Sequence, residues 1–264
     1  MFIDTHCHLD AAEFNGQGAA AAERAAANGV HRVIIPAVSF DNFSSVAALG
    51  RFGGYALGIH PLFVPDAAEK DLEVLRQSVN QALADPHFVA VGEIGLDFFV
   101  PELTTPEMRE KQTYFYREQC KIARDAGLPV LLHVRRSVDQ ILKTLRQITP
   151  KGGIAHAFNG SEQQAEMFIQ LGFKLGFGGA LTYTRALQIR RLATNLPLSA
   201  IVLETDSPDI PPNWLASGQN SPEQLPRIAQ VLAELRGISI EQLAQQTTRN
   251  AYEVLPRLIR NDSA

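Results

Sequence analysis

Short apolar runs alternate with longer amphipathic segments along most of the chain. Eight of these runs have the length and apolar character of β-strands. The predicted strands cover residues 1–5, 32–37, 55–59, 88–93, 129–133, 153–156, 173–177 and 201–204. Several of them, such as residues 33–35 and 130–132, contain no polar position. Continuous apolar strands are typical of a parallel sheet that is buried on both faces.

Segments with helical character lie between the predicted strands. Examples cover residues 19–28, 72–84, 106–126 and 185–195, and two further helical segments, 222–235 and 239–255, follow a loop at 207–221. Consecutive strand–helix units of this kind predict an α/β fold, a (β/α)8 TIM barrel forming a single domain over residues 1–264. An open doubly wound sheet is the alternative. No Gly-x-Gly-x-x-Gly turn follows the first strand, which weakens the dinucleotide-binding form of that alternative.

The bulk properties exclude several classes of protein. A net charge of −4 without a long Lys/Arg run argues against broad neutralisation of duplex DNA, but it allows an enzyme that holds one or two phosphates. No apolar stretch approaches the roughly 20 residues of a membrane span, and no basic segment with an apolar core indicates secretion. With only two cysteines, a disulfide framework is not expected. We expect a cytoplasmic protein with no membrane association and no evident obligate protein partner.

The seven histidines divide into two groups by their position relative to the predicted strands. Those at or just past the carboxyl end of a strand are His6, His8, His60, His133 and His156, whereas His31 and His87 precede strands. The carboxyl ends of the strands form the active face of a TIM barrel. Residues two apart in a strand share a face, so His6 and His8 are expected to converge. Cys7 is expected to point away, as a small buried residue rather than a metal ligand.

Three carboxylates occupy the same edge of the predicted barrel. Glu93 follows the apolar residues 89–92, and Glu204 and Asp206 follow the apolar residues 201–203. A carboxylate in a buried parallel strand is costly unless it is paired or coordinated. The alternative is that these are ordinary acidic residues at helix starts, stabilised by the helix dipole. That alternative does not explain why they share an edge with five histidines.

Six of these residues form a candidate ligand set, namely His6, His8, Glu93, His133, His156 and Asp206. A catalytic zinc ion typically uses three protein ligands and keeps a position for water, so the set suits two divalent ions that share a carboxylate bridge. Glu93 is the expected bridge because its strand is central in the strand order. Nitrogen and oxygen donors favour Zn, Mn, Co or Mg over copper or iron–sulfur chemistry. The expected chemistry is metal-dependent hydrolysis.

The motifs that contain these residues carry a family resemblance. They are FIDTHCH at 2–8, GIHP at 58–61, VGEIGLD at 91–97, LHVR at 132–135, HAFNGS at 156–161 and LETDSP at 203–208. In this order and spread, they resemble the TatD family of metal-dependent deoxyribonucleases, within the amidohydrolase-like barrels. One departure is Asn159, because the family usually has serine there. Asn159 puts a specific hydroxyl contact in doubt but not the metal site.

The resemblance implies a division of the ligands between two ions. His6, His8, Glu93 and Asp206 would hold one ion, and Glu93, His133 and His156 the other. It also implies phosphodiester hydrolysis of DNA or an oligonucleotide, with 3′→5′ exonuclease action as one form. In many amidohydrolases a carbamylated lysine bridges the metals from the fourth strand, and Glu93 at that position favours the nuclease-like interpretation.

Other residues have expected roles around the ligands. Asp206 is expected to orient the attacking water or to take its proton. His60 is interpreted as a substrate contact or transition-state donor, with packing against the Pro61 turn as the alternative. Asp4 and Glu204 are expected to support the ligands, Asp4 by hydrogen bonding.

Several contacts to the substrate are expected on the same rim. Arg135 follows His133 by two residues, so it is expected to share its face and either bind phosphate or form a surface salt bridge. Arg136 is expected to point elsewhere. Ser161 begins a capping-box pattern whose helix amides could bind phosphate, although capping alone would explain it. The loop aromatics Phe98, Phe99 and Tyr183 either stack on bases or cover the barrel.

Two other functions remain open from the sequence. One is a barrel metallohydrolase that cleaves a small-molecule phosphoester, amide or lactone. The other is a metal-dependent binding protein without catalysis, against which the intact ligand set and Asp206 argue.

Overall fold

A computed structural model describes residues 1–215 and 218–260 of the chain. The strands are β1 (Phe2–Asp4), β2 (Val30–Pro36), β3 (Gly53–Leu57), β4 (Phe88–Asp97), β5 (Val130–Arg135), β6 (Gly153–Ala155), β7 (Phe173–Phe177) and β8 (Ile201–Leu203). The helices are α1 (Gly18–Ala27), α2 (Phe43–Leu49), α3 (Glu69–Ala82), α4 (Pro106–Asp125), α5 (Val138–Gln147), α6 (Glu162–Gln170), α7 (Leu187–Asn195), α8 (Leu225–Arg236), α9 (Ile240–Val254) and α10 (Pro256–Arg260). Short 3-10 turns occupy several of the connections.

The eight strands form one parallel sheet in the order β1 to β8. The sheet closes on itself where β8 meets β1. Thr5 N–H donates to Leu203 O at 3.0 Å, and Asp206 N–H donates to His6 O at 2.9 Å. The predicted (β/α)8 barrel is therefore confirmed, and the open doubly wound sheet is not observed.

The interior of the barrel is filled from one end. Ile3, Ile34 and Leu131 pack against each other inside the strands. They continue into an apolar cluster with Leu255, directly before α10, and Leu258, within it. All five side chains are almost completely buried. Because this cluster fills the amino-terminal end of the strands, the carboxyl-terminal end is left for the polar residues.

Two strands extend further than their apolar runs predict. β4 continues to Asp97 and β5 to Arg135, and the two remain paired through Gly95↔His133 and Asp97↔Arg135. Gly95 permits this pairing, because its φ is +151° and a Cβ there would lie 2.0 Å from His133 O. Most of the other strands end earlier than predicted, so most polar residues of the rim lie in the loops that follow.

The helices agree with the helical segments indicated by the sequence, with shifts at their ends. The segment predicted at 185–195 begins at Leu187, and that at 222–235 begins as a 3-10 turn before α8. Helix α6 starts at Glu162, directly after the capping box at Ser161. Among the described helices, none is long and apolar enough to cross a membrane.

Candidate metal centre

A cleft of about 1360 Å³ opens at the carboxyl-terminal end of the barrel. Imidazoles and carboxylates form its floor, and aromatic and arginine side chains form part of its wall. The predicted ligands His8, Glu93, His133, His156 and Asp206 line this cleft. His6 lies beneath them and is fully buried. The structure therefore brings the six predicted ligands together at one mouth of the barrel.

Glu93 is the centre of this group. It lies in β4, is about 1% exposed, and its backbone N–H donates to Ala37 O at 2.9 Å. The neighbouring backbone is tightly packed, because a Cβ on Gly92 would lie 2.6 Å from the Leu131 Cβ, and one on Gly58 would lie 2.8 Å from the Gly92 carbonyl carbon. Glycines at both positions allow the strands to bring this carboxylate into the barrel mouth.

The two carboxylate oxygens of Glu93 contact two different groups of imidazoles. Oε2 lies 3.1 Å from His6 Nε2 and 3.5 Å from His8 Nε2. Oε1 lies 2.9 Å from His156 Nε2, 3.1 Å from His133 Nδ1 and 3.4 Å from His60 Nε2. Although burial opposes its ionisation, the surrounding imidazoles hold the pKa of Glu93 well below its ordinary value. The carboxylate is therefore charged and faces nitrogen donors on both sides.

Asp206, which follows β8, faces His6 and His8 of the first group and also His156 of the second. Its Oδ1 lies 3.6 Å from His6 Nε2, 3.7 Å from His8 Nε2 and 4.0 Å from His156 Nδ1. The residue adopts a φ of +53°, in the left-handed region that non-glycine residues rarely occupy. Burial raises the pKa of Asp206, partly offset by His156 and His8.

Three sets of donor atoms are close enough to hold a cation. They are His6 with His156 and Asp206, His6 with His8 and Glu93, and His60 with Glu93 and His133. His6 Nδ1 and His156 Nδ1 are also buried without a hydrogen-bond partner among the described residues. Buried nitrogen atoms of this kind normally find a partner. Unpartnered imidazole nitrogens beside buried carboxylates fit the donor set of a divalent transition metal.

The electrostatic environment differs between the imidazoles. Burial lowers the pKa of His6 to about 3 and that of His60 to about 4. Burial also opposes the charged forms of His8 and His156, but the nearby carboxylates prevail and raise their pKa values to about 9 and about 10. Without a metal ion, His8 and His156 therefore carry the protons that balance the carboxylates.

The orientation of His60 distinguishes it from the other imidazoles. Its Nδ1 accepts the backbone N–H of Leu62 at 3.1 Å, so in the neutral ring the proton lies on Nε2. That Nε2 lies 3.4 Å from Glu93 Oε1. While Leu62 N–H occupies Nδ1, Nε2 keeps its proton and offers no lone pair to a metal, so the third donor set is reduced to Glu93 and His133. This geometry agrees with the interpretation of His60 as a donor to substrate.

Asp97 is a site residue that was not assigned from the sequence. Its Oδ2 lies 3.1 Å from His133 Nε2, and its Oδ1 accepts the N–H groups of Phe99 and Val100. Burial raises its pKa, but these hydrogen bonds prevail and lower it to about 2. The four-residue spacing from Glu93 to Asp97 was the available signal, since alternation places both on one face of a strand that continues that far.

Asp4 and Glu204 lie beneath the ligands. Asp4 Oδ1 accepts the backbone N–H of His6 at 3.2 Å, and its Oδ2 accepts the Thr205 hydroxyl at 2.6 Å. Glu204 lies 3.8 Å from His156 Nδ1 and accepts the Ala157 N–H. Burial raises the pKa of Asp4 to about 7 and that of Glu204 to about 8.

The space for Glu204 depends on a missing side chain. A Cβ on Gly176 in β7 would lie 2.0 Å from Glu204 Oε2. Glycine at this position therefore creates the cradle in which the carboxyl group lies. Glu204 Oε2 has no hydrogen-bond partner among the described residues. Burial of this oxygen without a partner disfavours the charged carboxylate, in line with the raised pKa of Glu204.

The position expected for Arg136 is wrong. Its φ is +54°, so the alternation of β5 ends at Arg135, and both residues line the cleft. Both guanidinium groups lie over the ring of Phe99, with CZ-to-centroid distances of 3.9 Å for Arg135 and 4.6 Å for Arg136. Arg135 Nη1 also lies 3.9 Å from Asp97 Oδ2.

The remaining rim residues are placed as follows. The Ser161 hydroxyl accepts the Gln164 N–H at 3.1 Å as the N-cap of α6, and Asn159 lines the cleft. Phe98 lines the cleft as well, whereas the Tyr183 hydroxyl donates to Pro211 O. The capping explanation therefore accounts for the Ser161 hydroxyl.

The other histidines and cysteines lie away from the donor sets. Cys7 is buried with its Sγ 3.0 Å from Ser207 Oγ, turned from the neighbouring imidazoles as alternation predicts. Cys120 is buried in α4. His31 lies in β2, and His87 directly precedes β4.

Comparisons with known proteins identify the family to which the chain is similar. Residues 3–256 match the family model described as TatD related DNase. A protein of Escherichia coli K12, "Uncharacterized metal-dependent hydrolase YjjV", is 43% identical over 257 residues, covering 95% of this chain and 96% of its own length. The mouse protein "Putative deoxyribonuclease TATDN3" is 30% identical over 266 residues, covering 97% and 88%. The crystal structure of the Escherichia coli TatD homologue YjjV has a TM-score of 0.90 and 41% identity, covering 97% of this chain and 98% of that one.

Proposed function

The chain belongs to the TatD family of metal-dependent hydrolases, and from this premise we propose that it is a two-metal phosphodiesterase acting on DNA. The proposed ligands of one ion are His6, His8, Glu93 and Asp206, whose imidazole nitrogens lie 3.1–3.7 Å from the carboxylate oxygens. The proposed ligands of the other are Glu93, His133 and His156, with Zn, Mn, Co and Mg as the candidate metals.

One observation carries the two-metal proposal. The two carboxylate oxygens of Glu93 face separate groups of imidazoles, His6 and His8 on Oε2, and His133 and His156 on Oε1. A carboxylate that bridges two ions presents one oxygen to each. A single ion would need only three of these ligands. The remaining buried side chains would then have no cation to bind.

The residues of the chain have distinct proposed roles in hydrolysis. Divalent ions, when bound, lower the pKa of water and neutralise charge on a phosphate. In this proposal Asp206 accepts a proton from the attacking water, and about 12% of its side chain is exposed at the cleft that it lines. His60 donates from Nε2 toward charge that develops on the phosphate, and Arg135 binds a phosphate oxygen of the substrate at the rim of the cleft.

The choice of DNA rests on the family and on the cleft. The matching family model is described as TatD related DNase, and one relative is named as a deoxyribonuclease. The cleft of about 1360 Å³ exceeds the 300 to roughly 1,000 Å³ of typical small-ligand pockets. Arginines and exposed aromatic rings at its rim suit a phosphate-bearing chain better than a small lactone or amide.

The proposal is tested on protein stripped of metal and reloaded separately with Zn, Mn, Co or Mg. Substrates are a labelled single-stranded oligonucleotide, its duplex, bis(p-nitrophenyl) phosphate and a panel of small lactones, amides and phosphomonoesters. We expect oligonucleotide cleavage, and metal analysis should give two ions per chain for the best metal. Labelling either end of the oligonucleotide separates 3′→5′ from 5′→3′ action.

Matched variants make the test specific. Glu93→Gln keeps the size of the side chain but removes the bridging charge, so it should abolish turnover and lower the metal content. Glu118→Gln, on the outer helix α4 in an ion pair with Lys121, should change neither. Cleavage of only the small esters would replace DNA as the substrate, and one ion per chain at full activity would exclude the two-metal centre.

A further inference from the structure

Two arginine side chains converge on one aromatic ring at the rim of the cleft. The CZ atom of Arg135 lies 3.9 Å from the centroid of Phe99, and that of Arg136 lies 4.6 Å from it. About 50% of the Arg135 side chain and 42% of Phe99 are exposed. All three residues line the cleft that contains the candidate metal centre. The two cations therefore face the same space.

The backbone holds the arginines in this arrangement. Arg136 adopts a φ of +54°, which turns its side chain back toward the side of Arg135. Phe98 N–H donates to Arg135 O at 2.8 Å, so the loop of Phe99 and the end of β5 are joined. Ser137, the residue after Arg136, is buried, and its hydroxyl donates to Leu96 O at 2.7 Å, which anchors the chain on the other side of Arg136. A strained backbone conformation that is anchored on both sides is typical of a binding site.

The charges of this cluster are incompletely balanced. Within the described part of the chain, Arg136 has no carboxylate within salt-bridge distance, and Arg135 reaches only Asp97 at 3.9 Å. Asp97 is already engaged by His133 and by two backbone N–H groups. Two guanidinium groups with free donors facing a cleft form a site that an anion would complete, because each presents a planar fork of N–H groups.

Phe99 has a different role from the one that an exposed loop aromatic suggests. Two guanidinium groups lie over its ring, 3.9 and 4.6 Å from the centroid, and compete with a nucleobase for its π-face. The ring instead supports the arginines through cation–π contact, which keeps long side chains ordered at low entropic cost. The chemistry of this cluster is therefore recognition of phosphate rather than stacking on a base.

We propose that Arg135, Phe99 and Arg136 form a subsite for a second phosphate group of the substrate, beside the phosphate that is hydrolysed. This inference rests on the proposed phosphodiesterase function. It predicts a preference for nucleotide chains that carry a phosphate next to the scissile linkage over a linkage that stands alone. The cluster lies close to the candidate metal centre. Only the carboxylate of Asp97 separates the Arg135 guanidinium from the proposed ligand His133.

Binding to metal-free protein tests the subsite independently of catalysis. Calorimetry compares the thymidine dinucleotide TpT, which has one internal phosphate, with pTpT and TpTp, which carry a second phosphate at the 5′ or 3′ end. At least one of the doubly phosphorylated dinucleotides should bind at least tenfold more tightly than TpT. The advantage should shrink with added salt, because it is electrostatic.

Arg136→Ala should remove most of that advantage, and Phe99→Leu should reduce it by releasing the arginines. Arg51→Ala is the matched control, because Arg51 also stacks on a phenylalanine, Phe52, but lies before β3 at the opposite end of the barrel. The advantage should persist in this control.

The outcomes separate the subsite from the catalytic proposal. Equal binding of all three dinucleotides by the wild type, or an unchanged advantage in Arg136→Ala, would overturn the subsite. If the advantage is present and depends on Arg136, but the metal-loaded protein cleaves none of the dinucleotides and no oligonucleotide, the subsite stands and the phosphodiesterase function fails.

Discussion

Asp97 Oδ2 lies 3.1 Å from His133 Nε2, on the side of the ring opposite the nitrogen that faces Glu93. By accepting a hydrogen bond from Nε2–H, Asp97 leaves the Nδ1 lone pair of His133 directed at the candidate metal centre. The carboxylate also increases the basicity of the ring. Asp97 therefore orients a proposed ligand without contacting the ion itself.

We predict that Asp97→Asn weakens metal binding by about 10- to 100-fold, because the amide is a poorer acceptor and does not carry the charge. Competition with a chelating dye measures the affinity. Asp85→Asn is the control, since Asp85 accepts the Tyr55 hydroxyl beside the amino-terminal end of β4. An unchanged metal affinity in Asp97→Asn would remove this role from Asp97.

His60 should act on the substrate rather than on the metal. His60→Ala is expected to lower kcat by about 10²- to 10³-fold, because one donor to the developing charge is lost, while the metal content remains. His133→Ala should instead lose metal. His60→Gln, which retains an N–H donor, should recover part of the rate. Metal loss in His60→Ala would identify His60 as a ligand.

Metal binding should be strongly dependent on pH. The carboxylates around His8 and His156 raise their pKa values to about 9 and about 10, so both imidazoles carry protons at neutral pH in the metal-free protein. A metal ion needs their lone pairs and must displace these protons. Affinity should therefore rise as the pH increases from about 6 to about 9. Calorimetry in buffers of different ionisation enthalpy counts the protons released, and release of none would contradict the prediction.

Gly176→Ala should disturb the cradle of Glu204. The added Cβ would lie 2.0 Å from Glu204 Oε2, so the carboxyl group or β7 has to move. We expect a loss of about 1–3 kcal/mol in the free energy of unfolding, the usual range for overpacking, measured by urea denaturation. Gly218→Ala is the control, because its added Cβ would be in ordinary van der Waals contact with Leu215 Cδ2, at 3.5 Å. Equal stability of the two variants would contradict this account.

Much of the fold was predictable because burial leaves a plain pattern in the sequence. A strand covered on both faces must be apolar throughout, so runs such as residues 33–35 and 130–132 identify the sheet without structural data. Polar residues at the ends of those runs then identify the active rim. This is why His6, Glu93 and Asp206 could be grouped although they are far apart in the chain.

The errors occur where backbone geometry departs from simple alternation. Arg136 was expected to point away, but its left-handed conformation places it beside Arg135, and no sequence pattern encodes that turn. The apolar run predicts that β4 ends at Glu93, which leaves Asp97 outside the strand, whereas pairing with β5 through Gly95 extends β4 to Asp97. Both depend on contacts between segments that are distant in sequence.

The seam where β8 meets β1 has a mechanical consequence for the whole molecule. Asp206 follows one side of that seam and His6 the other, and they are joined through Asp206 N–H to His6 O. A cation held between these two side chains would cross-link the two strands that close the barrel. Metal binding would then stabilise the closed form of the barrel, and a chelator would weaken the protein first where its first and last strands meet.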